Sequence, residues 1–207
     1  MNKIKKNFFI SFEGPEASGK SSQIKLLAIF LKKNKIPFLI TREPGGTIIS
    51  EKLRKIILDK NEIISPTEEL LLLMASRLNH INKVIKPALE EGKLVISDRF
   101  VDSTYVYQGI IGKYGLEKTK ILHKNILNNF LPKKTFLFLL KSENIIQRLK
   151  KRKFFNKYDK LDINFHNRIL NGYKRISKKN NRFHIVNASQ SKNLIHSEII
   201  SVLNKIK

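Results

Sequence analysis

Apolar positions along this chain follow two different periods. Short, nearly unbroken apolar runs stand at residues 8–12, 37–41, 94–98, 135–140 and 183–187. Runs of that length without a polar face suit strands buried on both sides of a parallel sheet. Between them the period becomes helical. Ile24, Leu27, Ala28 and Leu31 share one helix face, and Ile49, Leu53, Ile56 and Ile57 share another. Ser65-Pro66-Thr67-Glu68 is a capping box with Pro at the first helical position. It opens a long helix over about residues 66–91, bent or broken near Pro87. Helical segments follow over about 103–109 and 116–130, the latter closed by Pro132. Ser142 stands where it would cap a helix reaching residue 151, and further helices cover about 162–179 and 194–206. Residues 153–160 are basic and irregular. Alternating strand and helix predicts an α/β fold: a doubly wound, five-stranded parallel sheet with helices on both faces, in one domain over residues 1–207. Ligands then belong at the C-terminal edge of the strands.

The first strand runs into Gly14-Pro15-Glu16-Ala17-Ser18-Gly19-Lys20-Ser21, which fits G-x-x-x-x-G-K-[ST], the phosphate-cradling P-loop. Gly14 and Gly19 let backbone N–H groups turn toward phosphate oxygens. Lys20 is placed to reach the outer phosphates, and the Ser21 hydroxyl to ligate Mg²⁺. A glycine-rich turn with a chance lysine is the plain alternative. The strand before and the helix after supply the context that favours a phosphate site, with Ser22 continuing the helix N-terminus. Glu16 lies inside the loop, where bound triphosphate would repel it. It is either a solvated carboxylate or one aimed at a second substrate's sugar or its Mg²⁺.

Composition narrows the classes. The 207 residues are 41% hydrophobic and 28% charged, as a folded domain requires. There are no cysteines, which removes disulfides and thiol catalysis, and the five histidines lack ligand spacing. No apolar run approaches membrane-spanning length, and no signal-peptide core is present, so the expected location is cytoplasmic with no membrane partner. The net charge of +24 invites a nucleic-acid reading. Yet Lys greatly outnumbers Arg and is spread along the whole chain among abundant Ile and Asn. That is compositional drift rather than a basic face, and no specific nucleic-acid partner is expected.

Strand ends carry the remaining chemistry. Asp98 ends the third strand, the usual place for a carboxylate holding Mg²⁺ through water. Arg99 follows, and Arg42 ends the second strand. With Lys20 that makes three cations on one rim, more than one triphosphate needs, so two phosphorylated substrates are expected.

The chain resembles the thymidylate kinase family of P-loop nucleoside monophosphate kinases. The resemblance rests on the P-loop within residues 12–21, on Thr41-Arg42-Glu43-Pro44-Gly45-Gly46-Thr47, and on Asp98-Arg99 followed by Ser103-Thr104 and Tyr107-Gln108-Gly109. Glu68-Glu69 leading to Arg77, Ile85-Lys86-Pro87-Ala88-Leu89, and Phe165-His166-Asn167-Arg168 with Gly172-Tyr173 also match. These pieces span nearly the whole chain, and the second is the most specific. The resemblance implies γ-phosphoryl transfer from ATP to dTMP with Mg²⁺, and a homodimer. It implies that residues 14–22 bind ATP, that Arg77 contacts the thymine, and that Pro44 packs on the base. Arg42 and Arg99 would handle phosphate, Tyr107 would close on the deoxyribose, and Ser103, Thr104 and Gln108 would add polar contacts. Glu16 matches the family's P-loop acid near the sugar. The implied mechanism is direct in-line transfer, with Lys20, Mg²⁺, Arg99 and Arg152 stabilising the moving phosphoryl group and no general base.

Several positions depart from the family pattern. Ala17 stands where Gly is usual, which stiffens the loop or demands negative φ. A lid over ATP is expected at about residues 152–162, with Arg152 as a catalytic arginine and Lys160 in place of a second one. Leu73 stands where the family places a ring against the base. It either faces the base or belongs to the core stripe of Leu70-Leu71-Leu72-Leu73, with Phe100 supplying the ring. Other readings are another nucleoside monophosphate kinase, a P-loop GTPase switch, or a nucleic-acid-binding protein. Asn156-Lys157-Tyr158-Asp159 spells the guanine-reading string N-K-x-D, but it follows no strand, and the chain contains no D-x-x-G.

Overall fold

Every residue of β1 (Phe9–Glu13) is buried, because the strand lies at the centre of the sheet. The computed structural model describes residue 4 and residues 7–59, 61, 63–151, 158, 159 and 162–206. The other strands are β2 (Phe38–Arg42), β3 (Leu94–Asp98), β4 (Lys134–Leu139) and β5 (Phe183–Asn187). They form one parallel sheet in the order β2-β3-β1-β4-β5. The chain moves to one side of β1 for β2 and β3, then to the other for β4 and β5. This leaves a crevice at the C-terminal end of β1, where open α/β sheets bind ligands. The P-loop starts there.

The two periods in the sequence become two faces. Ile10 and Phe12 point to one side with Leu94, Ile96, Phe136 and Phe138. Helices α1 (Lys20–Lys33), α7 (Ser142–Lys150) and α9 (Lys192–Asn204) cover that side. Phe9 and Val95 point to the other, against α3 (Pro66–His80), α4 (Lys86–Glu90) and α6 (Leu116–Leu127). Leu137 meets Ile169 and Tyr173 of α8 (Ile163–Ser177) on that side. The doubly wound sheet expected from the sequence is present. Among the described residues, no helix is long and apolar enough to cross a membrane.

Local sequence signals hold where the partner is local. Ser65 accepts from the Glu68 N–H, and Glu68 accepts from the Ser65 N–H, completing the capping box. Ser142 does not cap α7: Lys141 is the cap residue, and the Ser142 hydroxyl donates to Asn167 at 2.6 Å. The long helix is interrupted just before Pro87, as expected: α3 gives way to a π-helical turn at Ile81–Ile85, which relieves the missing N–H and ring clash of Pro87 before the chain continues as α4. The helix expected at 103–109 begins as α5 (Val101–Thr104) and continues as a π-helical segment, Tyr105–Ile111. α6 stops at Leu127, because Asn128 and Asn129 both adopt positive φ.

Candidate active site

Two cavities open on the C-terminal edge of the sheet. The first belongs to the P-loop. Gly14 has a φ of 132°, and a side chain there would collide with the carbonyl oxygen of Phe138 on β4. Glycine is therefore the residue that lets β1 turn beside its neighbour. The N-terminus of α1 follows, so the loop cavity is lined by residues 16–22 with Asp98, Arg99 and Arg148. The Ser21 hydroxyl donates to Asp98 Oδ2 at 2.8 Å, bringing both expected metal ligands together.

One expectation about the loop is corrected: Ala17 has a φ of 55°, not a negative value. Lys20 is buried. Its ammonium donates to the carbonyls of Gly14 at 3.0 Å and Pro15 at 2.7 Å, and to Ser18 Oγ at 3.3 Å. Burial first, then the nearby Arg99 charge, pull its pKa down to about 8 against the pull of Asp98, Glu16 and Glu13.

The second cavity lies between the loop after β2, α3 and the segment after β3. Among its walls are Pro44, Leu73, Arg77, Phe100 and Thr104, with Ser103, Tyr107 and Gln108. Arg77 is buried and pinned on two sides: Nε donates to Glu43 Oε2 at 2.6 Å, and Nη2 to Thr104 Oγ1 at 2.8 Å. Its guanidinium lies over the Phe100 ring. Its Nη1 is buried without a partner among the described residues. A buried donor left open in a cavity wall is costly unless a ligand meets it. Leu73 is buried on this wall, and among the described residues it joins none of the three core clusters, whereas Phe100 belongs to one.

Glu16 and Arg99 line both cavities. Arg99 Nη2 donates to Glu16 Oε1 at 2.8 Å, and Tyr107 donates to Glu16 Oε2 at 2.7 Å. Arg99 Nη1 reaches the Gly14 carbonyl, Ser103 Oγ and Tyr173 OH at 3.0–3.2 Å. Behind this wall, Glu13 accepts from the Phe100 N–H at 2.7 Å, Ser103 Oγ at 2.6 Å and Tyr173 OH at 3.0 Å. Burial, then the charge of Asp102, push the Glu13 carboxyl up to about 7.

Arg42 is not brought to the second cavity. It pairs with Glu51 at 3.1 Å on the outer side of the loop, with 57% of its side chain exposed. Arg54, one turn beyond Glu51 on α2 (Ile48–Leu58), lines the cavity instead and donates to the Pro44 carbonyl at 2.7 Å. Arg54 was missed, as were Arg148, which donates to the Ala17 carbonyl at 3.1 Å, and Tyr158, which lines the second cavity and donates to Glu69. Glu43 and Tyr173 stood inside the matching motifs without a role. Arg152 and Lys160 lie outside the described residues.

Comparison with known proteins agrees with this geometry. The family model described as thymidylate kinase matches residues 12–199. The thymidylate kinase of Thermoanaerobacter sp. (strain X514) is 40% identical over 201 residues, covering 97% of this chain and 98% of that one. The thymidylate kinase of Rickettsia bellii (strain OSU 85-389) is 42% identical over 179 residues, 86% of each chain. The crystal structure of the thymidylate kinase from Ehrlichia chaffeensis superposes with a TM-score of 0.76 at 33% identity, covering 96% of this chain and 98% of that one.

Proposed function

The chain belongs to the thymidylate kinase family, and from that premise we propose how its side chains divide the transfer of the γ-phosphoryl group from ATP to dTMP. The enzyme makes dTDP and ADP. One observation carries the proposed division: Glu16 and Arg99 form the wall shared by the two cavities. Donor phosphates belong in the loop cavity and dTMP in the other, so the two substrates meet at Arg99. The acceptor is a phosphate oxygen, already ionised near neutrality, so no general base is required. Lys20 and Arg99 offset charge on the moving group, and Arg54 adds a cation on the acceptor side. Glu16 and Tyr107 hold Arg99 in line, and Tyr107, Ser103 and Gln108 border the sugar. Arg77 offers its open Nη1 to the thymine edge, with Pro44 and Leu73 beside the ring.

The proposal includes Mg²⁺. A hydroxyl and a carboxylate within 2.8 Å of each other are hard oxygen donors, and Mg²⁺ is commonly held by one or two such groups plus substrate phosphates. Ser21 and Asp98 would hold it, and when bound it neutralises phosphate charge. Arg152 keeps its proposed role as a cation on the moving phosphoryl group, in a lid at about residues 152–162 of one domain spanning 1–207, in a cytoplasmic enzyme. Tyr158, the third residue of the N-K-x-D string, lines the acceptor cavity, which favours the kinase reading over a guanine switch. A coupled assay of ADP formation with dTMP, dUMP, AMP, GMP and CMP in turn tests the whole. dTMP should give the highest kcat/KM, and a better acceptor among the others would refute it.

We also propose a homodimer. Ile48 and Ile49 on α2, Leu71 and Leu78 on α3, and Ile121 on α6 are large apolar side chains left exposed on neighbouring helices. A second copy, the assembly that the resemblance implies, would cover this surface. Sedimentation equilibrium should return twice the chain mass, and Leu71→Asp should shift it toward the monomer. A monomeric wild type would exclude the proposal.

Leu73→Phe separates the two readings of that position. A ring on the cavity wall should lower the KM for dTMP about fivefold, the factor that about 1 kcal/mol represents. The melting temperature should stay unchanged. If Leu73 is core, the ring overpacks and costs about 1–3 kcal/mol of stability with no gain in KM.

A further inference from the structure

One turn beyond Arg77 on α3 lies His80, fully buried and not part of the acceptor cavity's lining. Its Nδ1 is 3.0 Å from Glu43 Oε1, and its Nε2 is 2.6 Å from Thr41 Oγ1. The other Glu43 oxygen is the one that receives Arg77 Nε. Thr41, His80, Glu43 and Arg77 therefore form one chain of bonds from the end of β2 to the cavity wall. A carboxylate only accepts, so Nδ1 donates to Glu43, while Nε2 and the Thr41 hydroxyl share the second bond of the ring.

Gly46 adds an independent observation. A Cβ there would stand 2.5 Å from His80 Nε2 and 2.8 Å from Thr41 Oγ1, and the residue has a φ of 89°. The loop after β2 lies directly on the imidazole. Glycine is what permits the contact, and the ring is the floor on which the loop carrying Glu43 and Pro44 rests.

We propose that His80 is a positioning residue for acceptor-base recognition, holding Glu43 to a single bond on Arg77 so that the guanidinium keeps its aim into the cavity. This rests on the reading that Arg77 meets the thymine. The physical reason lies in what Glu43 does without the ring. It is buried, so its freed oxygen must find another donor. A carboxylate and a guanidinium left to themselves adopt a two-bond fork. Reaching that fork pulls Arg77 away from Thr104 and rotates Nη1 off the cavity. His80 prevents this by occupying the second oxygen. It touches no reacting group, so its effect belongs in acceptor binding and base discrimination, not in turnover.

The test is steady-state kinetics on the intact enzyme with dTMP and dCMP, together with melting temperatures. His80→Leu should raise the KM for dTMP about tenfold and leave kcat within about twofold, the pattern of lost binding without lost transition-state stabilisation. The preference for dTMP over dCMP should fall by a similar factor. His80→Asn places an amide nitrogen near the Nδ1 position and should recover most of both effects, even if it melts as early as the Leu variant. Thr41→Val keeps the ring but frees its far side, and should raise the KM about threefold. It also decides the matter if His80→Leu does not fold. Arg77→Gln is the control. If it leaves the KM for dTMP unchanged, the reading of Arg77 fails. If it raises the KM while His80→Leu and Thr41→Val do not, only the role of His80 falls. Equal stability losses in the Leu and Asn variants with unchanged dTMP KM and base preference would make His80 purely structural and overturn the proposal.

Discussion

Lys20→Met should lower kcat by about 10²-fold or more, the scale for losing a preorganised donor aimed at developing charge. The ammonium donates to two backbone carbonyls and Ser18. Those are bonds a phosphate oxygen can replace. Methionine keeps the apolar stem and removes only the charge, so circular dichroism should stay native. A folded variant with near-normal turnover would refute the role. The same residue gives a signed pH effect. The unfolded-state value is close to the ordinary 10.5, and the folded value is about 8. Between those values the unfolded chain binds more protons, so this group makes stability rise with pH across that window. Below pH 8 its charged, buried form carries the full penalty. Relative to wild type, Lys20→Met should therefore be most stable below pH 8 and lose that advantage toward pH 10.5. Denaturant unfolding of both proteins at pH 7.5 and 9.5 measures the difference, and parallel curves would refute the depressed pKa.

Residues whose role is set by backbone or by near neighbours were legible in the sequence. The P-loop needs glycine at defined positions, the strands need unbroken apolar runs, and the Ser65–Glu68 box closes on itself. Roles set by distant partners were not legible. Ser142 has the right type for a cap, but its hydroxyl is claimed by Asn167 on another helix. Arg42 and Arg54 look alike on paper, and Glu51 decides between them by holding Arg42 outside. Arg148 reaches the loop from 131 residues away, which no local pattern announces. The Ala17 expectation failed differently: its residue type suggested negative φ, but the loop's curvature is set by the chain on both sides.

Arg99→Met should produce the largest combined loss in the molecule: about 10³-fold in kcat and about 3 kcal/mol in stability. The two losses have different origins. Arg99 stands in the wall between the cavities and, in the proposed arrangement, faces both the donor phosphates and the acceptor phosphate. Its guanidinium ties the P-loop, through Gly14, to Ser103 and Tyr173. Methionine fills similar volume but leaves Glu16, only 8% exposed, without its ion-pair partner. Breaking one side of a buried pair costs more than the pair contributes, because the remaining charge stays desolvated. The figure is taken at the low end because 19% of the Arg99 side chain is exposed and Tyr107 still donates to Glu16. Glu16→Gln added to Arg99→Met separates the two effects. With the stranded charge gone, the double variant should recover most of the stability, read as a non-additive cycle in denaturant unfolding. Its kcat should stay low, because nothing restores a cation on the shared wall. Arg99→Lys should fall between, since an ammonium keeps the charge but not the planar fork that serves Glu16 and phosphate together. Turnover that returned in the double variant would mean Arg99 serves only to neutralise Glu16. Near-normal turnover in Arg99→Met alone would remove the shared wall from the mechanism.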